Sequence, residues 1–389
     1  MEPSRYASYQ QQIFRRGLAG ELPPFTVEPE GLEESARRRL GPGPFAYVYG
    51  PAGAGTTMRA NREAFDRWRI VPRMLTKSTT RYLATTVLGT PMPAPVLVAP
   101  LGVQSILHPE GELATARAAA ELGLTMVLST MSSFGIEEVA EASGAGPRWF
   151  QLYWPNDDDL TISLLNRAKA AGYTVLVVTL DTMSVAWRPS ILDKAYLPML
   201  RGTGIGVFFT DPVFRSQLAR SPEEDLDAAV AQWDRMLGSA GRAWDELGFL
   251  REHWDGPIVI KGVTHVDDAR QAAACGLDGV IVSNHGGRQV DGAIAALDVL
   301  PEIVDAVGDR MSVLFDSGIR TGADALKALA IGAEAVLIGR PFAYGLGHAG
   351  QLGVTHVLRS LLADLELTMG LSGYTRLREL TRDALRHQP

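Results

Sequence analysis

The sequence has little cysteine, no long apolar run and no excess of positive charge. Cys275 is the only cysteine among 389 residues, which excludes an internal disulfide and a cysteine-rich metal site and is typical of a reducing compartment. The first twenty residues hold no apolar segment of the kind that a signal peptide needs, and no stretch of eighteen apolar residues occurs. We therefore expect a cytoplasmic protein, and no metal site is evident.

Charge and composition narrow the possible partners and the domain count. The formal net charge of -7 and the isoelectric point near 5.6 disfavour a polyanionic partner such as nucleic acid. With 46% hydrophobic and 21% charged residues, the chain can bury a large core. Length by itself allows one or two domains, and we predict a single domain over 1–389.

Short apolar runs recur eight times after residue 95, and alanine-rich amphipathic stretches separate most of them. Continuous rather than alternating hydrophobicity is typical of strands covered on both faces, as in parallel sheets. Eight such units predict an α/β fold, a (β/α)8 TIM barrel, although an open doubly wound sheet would show a similar order of apolar runs and helices. The runs are 96–99, 126–128, 149–152, 175–178, 258–260, 280–282, 313–315 and 336–338.

Each run ends in polar or glycine residues, and in barrel enzymes the carboxyl ends of the strands carry the active site. Residues 283–291, Ser-Asn-His-Gly-Gly-Arg-Gln-Val-Asp, directly follow the sixth run. His285 can move a proton near neutral pH, and Arg288 can hold a carboxylate through two parallel hydrogen bonds. This turn therefore predicts chemistry at the carbon next to a carboxylate.

The last two strand ends are typical of a phosphate site. Residues 316–322 and 339–341 each lead into a predicted helix, where backbone N–H groups can bind phosphate. The alternative is a pair of glycine-rich turns that serve only close packing. No Gly-x-Gly-x-x-Gly fingerprint follows an apolar strand, which favours a mononucleotide or a flavin over a nicotinamide dinucleotide. Lys261, which ends the fifth run, could then stabilise negative charge on a reduced cofactor ring, although a lone lysine there is more often a solvated rim residue.

Ordered motifs over about residues 47–380 resemble the FMN-dependent L-2-hydroxy acid oxidases and dehydrogenases, the glycolate oxidase and flavocytochrome b2 family. Besides residues 283–291, the motifs are His108-Pro109-Glu110-Gly111-Glu112, Gln151-Leu152-Tyr153, Thr179-Leu180-Asp181-Thr182, Ile260-Lys261-Gly262-Val263, Asp316-Ser317-Gly318-Ile319-Arg320 and Ile338-Gly339-Arg340-Pro341.

The resemblance implies that FMN lies across the barrel mouth, with its ring against the first strand ends and its ribityl phosphate on the last two. The implied contacts are Ala99, Pro100, Leu101, Gly102, Ser129, Gln151, Thr179, Lys261 and Ser283 around the ring, and Asp316, Ser317, Gly318, Arg320, Gly339 and Arg340 around the phosphate.

The resemblance also implies the catalytic groups. His285 would be the base, and Asp181 would hold its imidazole and stabilise the imidazolium. Tyr153 would contact the reacting hydroxyl or the carboxylate. From the residues alone, Asp181 could instead be only a helix N-cap.

For the substrate, the resemblance implies a small L-2-hydroxy acid whose carboxylate is held by Arg188 and Arg288, with Tyr49 and Tyr153 beside it and His285 facing the α-carbon or the hydroxyl. Tyr49 could alternatively be a core tyrosine, because the motif match is loosest near the N-terminus. Both a carbanion route and a hydride route to the 2-keto acid remain open.

Two features narrow the subfamily. Residues 189–255 form a connection too long for an ordinary barrel loop, so we predict a lid. The length and sequence of this segment resemble the lactate 2-monooxygenase branch. Gly102 stands where simple oxidases usually carry alanine. The favoured activity is therefore L-lactate 2-monooxygenase, in which retained peroxide decarboxylates the keto acid to acetate, carbon dioxide and water.

Three alternatives to that activity remain. The first is an O2-dependent oxidase that releases peroxide, and the second is a membrane-associated dehydrogenase that passes electrons to quinone. The acidic stretch after residue 222 and the negative net charge disfavour membrane contact. The third is a flavin-binding protein without catalysis. The resemblance further implies a homotetramer or octamer, and residues 1–45 are predicted to be an arm packed on the barrel or on a neighbouring subunit.

Overall fold

A computed structural model describes residues 2–237 and 241–388. Residue 1 of the predicted arm, residues 238–240 of the predicted lid and residue 389 lie outside the described part. The strands are Trp68–Ile70 (β1), Thr85–Val87 (β2), Thr90–Met92 (β3), Val96–Val98 (β4), Thr125–Ser129 (β5), Arg148–Leu152 (β6), Leu176–Thr179 (β7), Ile258–Val263 (β8), Gly279–Val282 (β9), Ser312–Phe315 (β10), Ala335–Ile338 (β11) and Leu385–His387 (β12).

The helices alternate with the barrel strands and also form both flanking segments. They are Ser8–Gly17 (α1), Pro29–Arg39 (α2), Pro42–Tyr49 (α3), Thr56–Asp66 (α4), Gly111–Glu121 (α5), Ile136–Ser143 (α6), Asp158–Ala170 (α7), Pro189–Leu192 (α8), Gly206–Phe209 (α9), Pro212–Ser216 (α10), Leu226–Leu237 (α11), Leu247–His253 (α12), Val266–Ala274 (α13), Ala296–Val307 (α14), Gly322–Ile331 (α15) and Arg340–Leu371 (α16), with 3-10 turns at Gln104–Ile106, Pro198–Arg201, Trp244–Glu246, Leu377–Glu379 and Arg382–Ala384.

Strands β4 to β11 form a closed parallel barrel, in which β11 pairs with β4 and so leaves no open edge. This confirms the (β/α)8 barrel and excludes the open sheet. All eight predicted apolar runs fall on these strands. Closure satisfies the backbone groups that the two edge strands of an open sheet would leave unpaired.

The barrel interior is filled by alternate side chains of the strands. Leu97 points into a core cluster with Trp149 and Leu314, whereas its neighbours Val96 and Val98 belong to the layer between barrel and helices. Both faces are therefore apolar, which explains why the runs are continuous rather than alternating. A short hairpin of β2 and β3 closes the amino-terminal end of the barrel, where the Trp149 indole N–H donates to Thr90 Oγ1 at 3.0 Å.

The N-terminal segment packs on α16, the last barrel helix. The Tyr9 hydroxyl lies 2.6 Å from His356 Nδ1, and the Phe25 ring stacks on His348 with centroids 4.6 Å apart. Helix α16 is interrupted at Ala349 and Gly350, whose backbone dihedrals are not helical.

The connection between β7 and β8 contains helices α8 to α12 and rests on the neighbouring barrel loops. Gly206 donates its N–H to the Ser132 carbonyl at 2.8 Å, and the Arg167 guanidinium binds the buried Asp211 carboxylate at 3.0 Å. Helix α11 buries the apolar face that carries Val230 and Trp233, as expected for residues three or four apart on a helix. Over the described residues, no helix has the length and apolar character required to cross a membrane.

Candidate active site

The strand ends meet at one mouth, around a cavity of about 780 Å³. Its wall receives residues from the ends of all eight barrel strands, β4 to β11, and from the segment between β7 and β8. This volume lies within the range of ligand sites, roughly 300–1,000 Å³. The convergence that the barrel predicts for the polar strand ends is therefore observed.

His285 and Asp181 form a direct pair at this mouth. His285 Nδ1 lies 2.8 Å from Asp181 Oδ1, and the Thr182 hydroxyl donates to the same carboxylate oxygen at 3.0 Å. The contact orients the imidazole and leaves Nε2 to exchange a proton with a ligand. Asp181 is not at a helix N-terminus, since the next helix, α8, begins at Pro189, so the N-cap alternative is excluded.

The surroundings set the charge of this pair. Burial lowers the pKa of His285, with the Asp181 carboxylate opposing and Lys261 and Arg188 reinforcing the shift. Burial by itself would raise the pKa of Asp181, but the adjacent His285 and Lys261 lower it to about 2. At neutral pH the imidazole is thus neutral beside a carboxylate, which is the state that a general base requires.

The backbone holds His285 in an uncommon conformation. Its φ is 57°, and Gly286 and Gly287 follow with φ of 66° and 74°. Left-handed backbone is accessible to glycine but costly for most other residues. A Cβ on Gly287 would lie 2.5 Å from the backbone nitrogen of Met58, so the second glycine is also required by close packing.

Four arginines line the cavity without a carboxylate partner in residues 2–237 and 241–388. Arg288 donates to the carbonyls of Val48 and Gly50, both at 2.9 Å, and Arg188 donates to the Arg288 carbonyl at 2.8 Å. Burial, followed by the repulsion of neighbouring arginines, lowers the pKa of Arg288 well below its usual value. The four arginines are Arg188, Arg288, Arg320 and Arg340.

Such a cluster of cations is costly unless anions compensate it. Burial and the nearby Arg340 lower the pKa of Arg320 to about 10, and burial also lowers the pKa of Arg340. Arg320 and Arg340 belong to the loops after β10 and β11, whereas Arg188 and Arg288 lie beside His285. The site therefore suits two anionic groups, a phosphate on one side and a carboxylate on the other.

Lys261 lies on the cavity wall, and two neighbouring side chains contact its ammonium. Its ammonium contacts Asp316 Oδ2 at 3.0 Å and donates to Ser283 Oγ at 2.9 Å. Burial would lower the pKa of Lys261, but the carboxylates of Asp316 and Asp181 outweigh it and raise the pKa. A lysine that stays charged inside the protein can stabilise negative charge on a bound ring, so the solvated-rim alternative does not apply.

The residues predicted to contact FMN are placed mostly on the cavity wall. Gln151 and Ser283 lie behind it: Ser129 donates to Gln151 Oε1 at 3.0 Å, and the buried Gln151 Nε2 has no partner. A buried unpaired donor at this point fits a ligand acceptor. The predicted residues on the wall are Ala99, Pro100, Leu101, Gly102, Ser129, Thr179, Lys261, Asp316, Ser317, Gly318, Arg320, Gly339 and Arg340.

The phosphate side differs in one respect from the sequence prediction. At the start of α15, the N–H groups of Arg320 and Thr321 donate to Asp324, and that of Gly322 donates to Asp364. These donors are occupied within the protein, because Asp324 acts as a capping carboxylate. The remaining candidates for a phosphate are the residues 316–318, the start of α16 at Gly339 and Arg340, and the arginine side chains.

The structure corrects one predicted substrate residue. Tyr49 is not on the cavity wall, because its ring stacks on Phe45 at 5.4 Å and lies beneath Arg37. Tyr47, two residues earlier on α3, lines the cavity, and the Arg288 guanidinium carbon lies 5.8 Å from its ring centre. Tyr47 therefore occupies the place on the cavity wall that the sequence prediction gave to Tyr49. Tyr153 lines the cavity as expected, and burial followed by Asp181 raises its pKa to about 12.

Sequence reasoning overlooked several residues of this site. Gln289 donates to the Asp181 carbonyl at 2.6 Å and accepts from Arg188. It therefore links the residue that contacts His285 to one of the two arginines beside it. Its position directly after Arg288 was the only available signal. Trp154, Trp233 and Arg242 also line the cavity, and no sequence spacing relates the last two to the barrel strands.

Comparison with known proteins places the chain in a family. The sequence model of the FMN-dependent dehydrogenases matches residues 36–387. An FMN-dependent alpha-hydroxy acid dehydrogenase of Penicillium citrinum is 47% identical, over 99% of this chain and 97% of the relative. An L-lactate oxidase of Lysinibacillus sphaericus is 39% identical, over 92% of both chains.

Solved structures agree with the sequence relatives. A crystal structure of mandelate oxidase superposes with a TM-score of 0.80 and 36% identity, covering 93% of this chain and 98% of that one. The fold shared with this structure, the matching family model and the arginines on two sides of the cavity all indicate the same family. The chain belongs to the family of FMN-dependent 2-hydroxy acid oxidoreductases, with FMN as its cofactor and a 2-hydroxy acid as the compound that it oxidises.

Proposed function

We propose that the protein oxidises an L-2-hydroxy acid to the 2-keto acid with O2 as the final electron acceptor and His285 as the base. The observation that carries this proposal is the His285–Asp181 pair at 2.8 Å, placed beside Arg188 and Arg288 on one cavity. A base and two arginines that bind a carboxylate, placed on the same cavity wall, can act on the carbon next to that carboxylate.

The roles of the side chains follow from their contacts. Arg188 and Arg288 hold the substrate carboxylate, and Tyr47 and Tyr153 donate to its oxygens, because a tyrosine whose pKa is raised keeps its proton. Nε2 of His285 takes one proton, from the α-carbon or from the hydroxyl. FMN supplies the acceptor for the two electrons that leave the substrate.

Charge complementarity supports the proton step. When His285 becomes an imidazolium, Asp181 lies 2.8 Å from the ring nitrogen and stabilises the new charge. Before that step, burial favours the neutral imidazole, and Lys261 and Arg188 act in the same direction. The pair therefore accepts a proton at Nε2 in the reaction, while the Nδ1 proton stays in the hydrogen bond to Asp181.

The fate of oxygen is the finer part of the proposal, and lactate 2-monooxygenase remains the favoured outcome. A closed site that retains peroxide and keto acid together would give the shorter carboxylic acid, carbon dioxide and water. The segment between β7 and β8 covers one side of the cavity. Gly102 also has a steric explanation, since a Cβ there would lie 2.6 Å from Met131 Cβ and from the Met131 carbonyl oxygen. The lid thus supports this outcome more directly than Gly102 does.

Turnover of the FMN-loaded enzyme with L-lactate and measured oxygen uptake tests both parts. We expect anaerobic bleaching of the flavin by the L-acid but not by the D-acid. His285→Gln should slow bleaching by roughly 10²- to 10⁴-fold while binding the keto acid. No bleaching by any L-2-hydroxy acid would refute the proposal. Acetate and carbon dioxide without free peroxide support the monooxygenase, stoichiometric peroxide and pyruvate support an oxidase, and reactivity with a quinone but not with O2 would overturn both.

A further inference from the structure

The turn that carries His285 is held by the hydroxyl groups of two serines. The backbone N–H groups of Asn284 and Gly286 donate to Ser317 Oγ at 3.2 and 3.0 Å. The N–H of His285 itself donates to Ser283 Oγ at 3.0 Å. Three consecutive N–H groups of the turn therefore bind side-chain hydroxyls, and the two on either side of His285 both depend on Ser317.

Ser317 connects this turn to a different strand end. It belongs to the loop after β10, whereas His285 follows β9. The Ser317 hydroxyl donates to Asp316 Oδ1 at 2.8 Å, and the other oxygen of that carboxylate contacts the Lys261 ammonium at 3.0 Å. A buried chain of hydrogen bonds thus fixes the position of His285 relative to Lys261, the cation on the flavin side.

The hydrogen-bonding capacity of the Ser317 hydroxyl is fully used by these contacts. A serine hydroxyl has one proton to donate and two lone pairs that accept. Its oxygen accepts two N–H groups, and its proton goes to Asp316. A phosphate oxygen would need that same proton, and the Asp316 carboxylate beside it would repel a phosphate. The phosphate contact that the resemblance implied for Ser317 therefore has no donor in the side chain.

The backbone of Ser317 indicates that the hydroxyl has a purpose. Its φ is 86°, in the left-handed region that glycine adopts readily and other residues adopt at a cost. A glycine at this position would avoid that cost but would lack the hydroxyl. Uncommon backbone conformations of this kind cluster at functional sites, where other interactions offset them.

We propose that Ser317 is a positioning residue for the base: its hydroxyl fixes the backbone on both sides of His285, and its side chain does not bind the phosphate. The inference rests on the proposed function, because it assumes that His285 takes the proton from the substrate. A misplacement of about 1 Å at a reacting group can lower a rate by roughly 10²-fold. The loss of this hydroxyl should therefore affect the rate of the proton step.

Substrate binding should depend on Ser317 much less than the rate does. Arg288 lies on the same turn, but its guanidinium is anchored separately by the carbonyls of Val48 and Gly50, both at 2.9 Å. The group that holds the carboxylate therefore keeps its place when the Ser317 hydroxyl is removed. This difference separates a positioning residue from a ligand of the substrate.

Two variants of the FMN-loaded enzyme test the positioning role. Ser317→Ala removes the hydroxyl and keeps the backbone cost, whereas Ser317→Gly removes both. With an L-2-hydroxy acid that reduces the wild type, we expect anaerobic flavin bleaching to slow by roughly 10- to 100-fold in both variants. The Kd of the corresponding 2-keto acid, from flavin absorbance, should change by less than about threefold. The melting temperature of Ser317→Gly should exceed that of Ser317→Ala.

A buried serine away from the cavity provides the matched control. Ser143 on α6 is 5% exposed, against 7% for Ser317, and its hydroxyl donates to the Val139 carbonyl at 2.9 Å. Ser143→Ala should leave the rate of bleaching unchanged. FMN content and the melting temperature show that each variant folds.

Cofactor affinity gives a readout that does not depend on turnover. Riboflavin has the ring of FMN without the phosphate, so the ratio of the Kd of riboflavin to that of FMN isolates the phosphate contacts. Fluorescence titration of each apoprotein measures both constants. We expect the ratio in Ser317→Ala and Ser317→Gly to stay within about twofold of the wild-type ratio. A fall of roughly fivefold or more, the effect of about one hydrogen bond, would show that the hydroxyl binds the phosphate and would overturn the inference.

The rates decide the remaining outcomes. Wild-type bleaching in Ser317→Ala would show that the hydroxyl does not position His285, and a slow rate in Ser317→Gly alone would assign the effect to the backbone instead. Either result overturns this inference and leaves the proposed function intact. If no L-2-hydroxy acid bleaches the wild type, the proposed function fails and this inference fails with it.

Discussion

The proposed base is His285, and its protonation depends on burial and on three neighbouring side chains. Asp181 contacts its Nδ1, while Lys261 and Arg188 lie near enough to oppose protonation. Burial is the largest influence, and it favours the neutral ring. The result is a base that is ready at neutral pH, with a carboxylate in place to stabilise the imidazolium that forms during the reaction.

A pH profile tests this arrangement. Since the pKa of His285 is lowered from its ordinary value of 6.5, kcat/KM of the wild type should stay level near neutral pH and fall only on the acid side, with a midpoint below 6.5. In Asp181→Asn the acid limb should move to still lower pH, because the group that raises the His285 pKa is gone, and kcat should fall by roughly 10²-fold or more. An acid limb that stays in place in the variant would contradict the assignment. Steady-state rates from pH 4.5 to 8 measure both effects.

Two tyrosines on one helix form a matched pair for a second test. Tyr47 lines the cavity near Arg288, whereas Tyr49 stacks on Phe45 outside it. Tyr47→Phe removes a hydroxyl that faces the ligand, so KM should rise by roughly fivefold, the cost of about one hydrogen bond. Tyr49→Phe should change KM by less than about twofold. A larger effect from Tyr49→Phe would restore the assignment made from the sequence.

Among the elements, the loops after β4 and β5 are tied together by one buried carboxyl group. Glu112, on the first turn of α5, accepts from the N–H groups of Gln104 at 3.0 Å and Ser133 at 3.1 Å. The same loops carry Gly102 and Met131, which line the cavity. Burial raises the pKa of Glu112 to about 7, although these backbone hydrogen bonds oppose the shift. Ionising this buried side chain therefore costs free energy in the folded state.

This raised pKa gives a stability prediction with a definite sign. In the folded state Glu112 holds its proton up to about pH 7, whereas in the unfolded state it loses the proton near 4.5. The free energy of unfolding should therefore fall as pH rises between these two values. The expected decrease is on the order of 3 kcal/mol. Glu112→Gln retains an acceptor for both N–H groups and removes the titration. Urea unfolding of the FMN-loaded protein at pH 5 and pH 8 should show a smaller drop in the variant than in the wild type. Equal drops would show that Glu112 stays ionised.

At the scale of the whole molecule, the barrel brings four cavity arginines to one mouth and leaves their compensation to ligands. Closure of the β10–β11–β4 pairing brings the loops with Arg320 and Arg340 next to those with Arg188 and Arg288. In the described chain these side chains have no carboxylate partner, and burial lowers the pKa of each. The fold is therefore expected to gain stability when anions bind.

Cofactor removal measures that gain. FMN at about a hundredfold above its Kd should stabilise the folded protein by about 2.7 kcal/mol, seen as a higher melting temperature than that of the apoprotein. Riboflavin is the matched ligand, since it has the same ring and lacks the phosphate that Arg320 and Arg340 would hold. We expect riboflavin to raise the melting temperature less than FMN does. Equal shifts would show that the phosphate side contributes nothing.

The barrel and most of the cavity wall could be predicted from sequence because their signals are local. A strand buried on both faces must be apolar along its whole length, and a parallel barrel must place all its carboxyl ends at one mouth. His285 and Arg288 follow such a strand directly, and the glycines between them mark a turn that other residues would strain. These features depend on neighbours in the chain.

The remaining features depended on contacts between distant segments. The choice between Tyr47 and Tyr49 rests on which side of α3 faces the mouth, and the occupied donors at the start of α15 rest on Asp364 from another helix. Trp233 and Arg242 reach the cavity only because the segment between β7 and β8 folds back over it. By itself, then, the sequence determined the barrel, the flavin and the proposed pair of His285 and Asp181. Only the tertiary structure decided which side chains surround the substrate, since that depends on packing across many residues and not on periodicity along the chain.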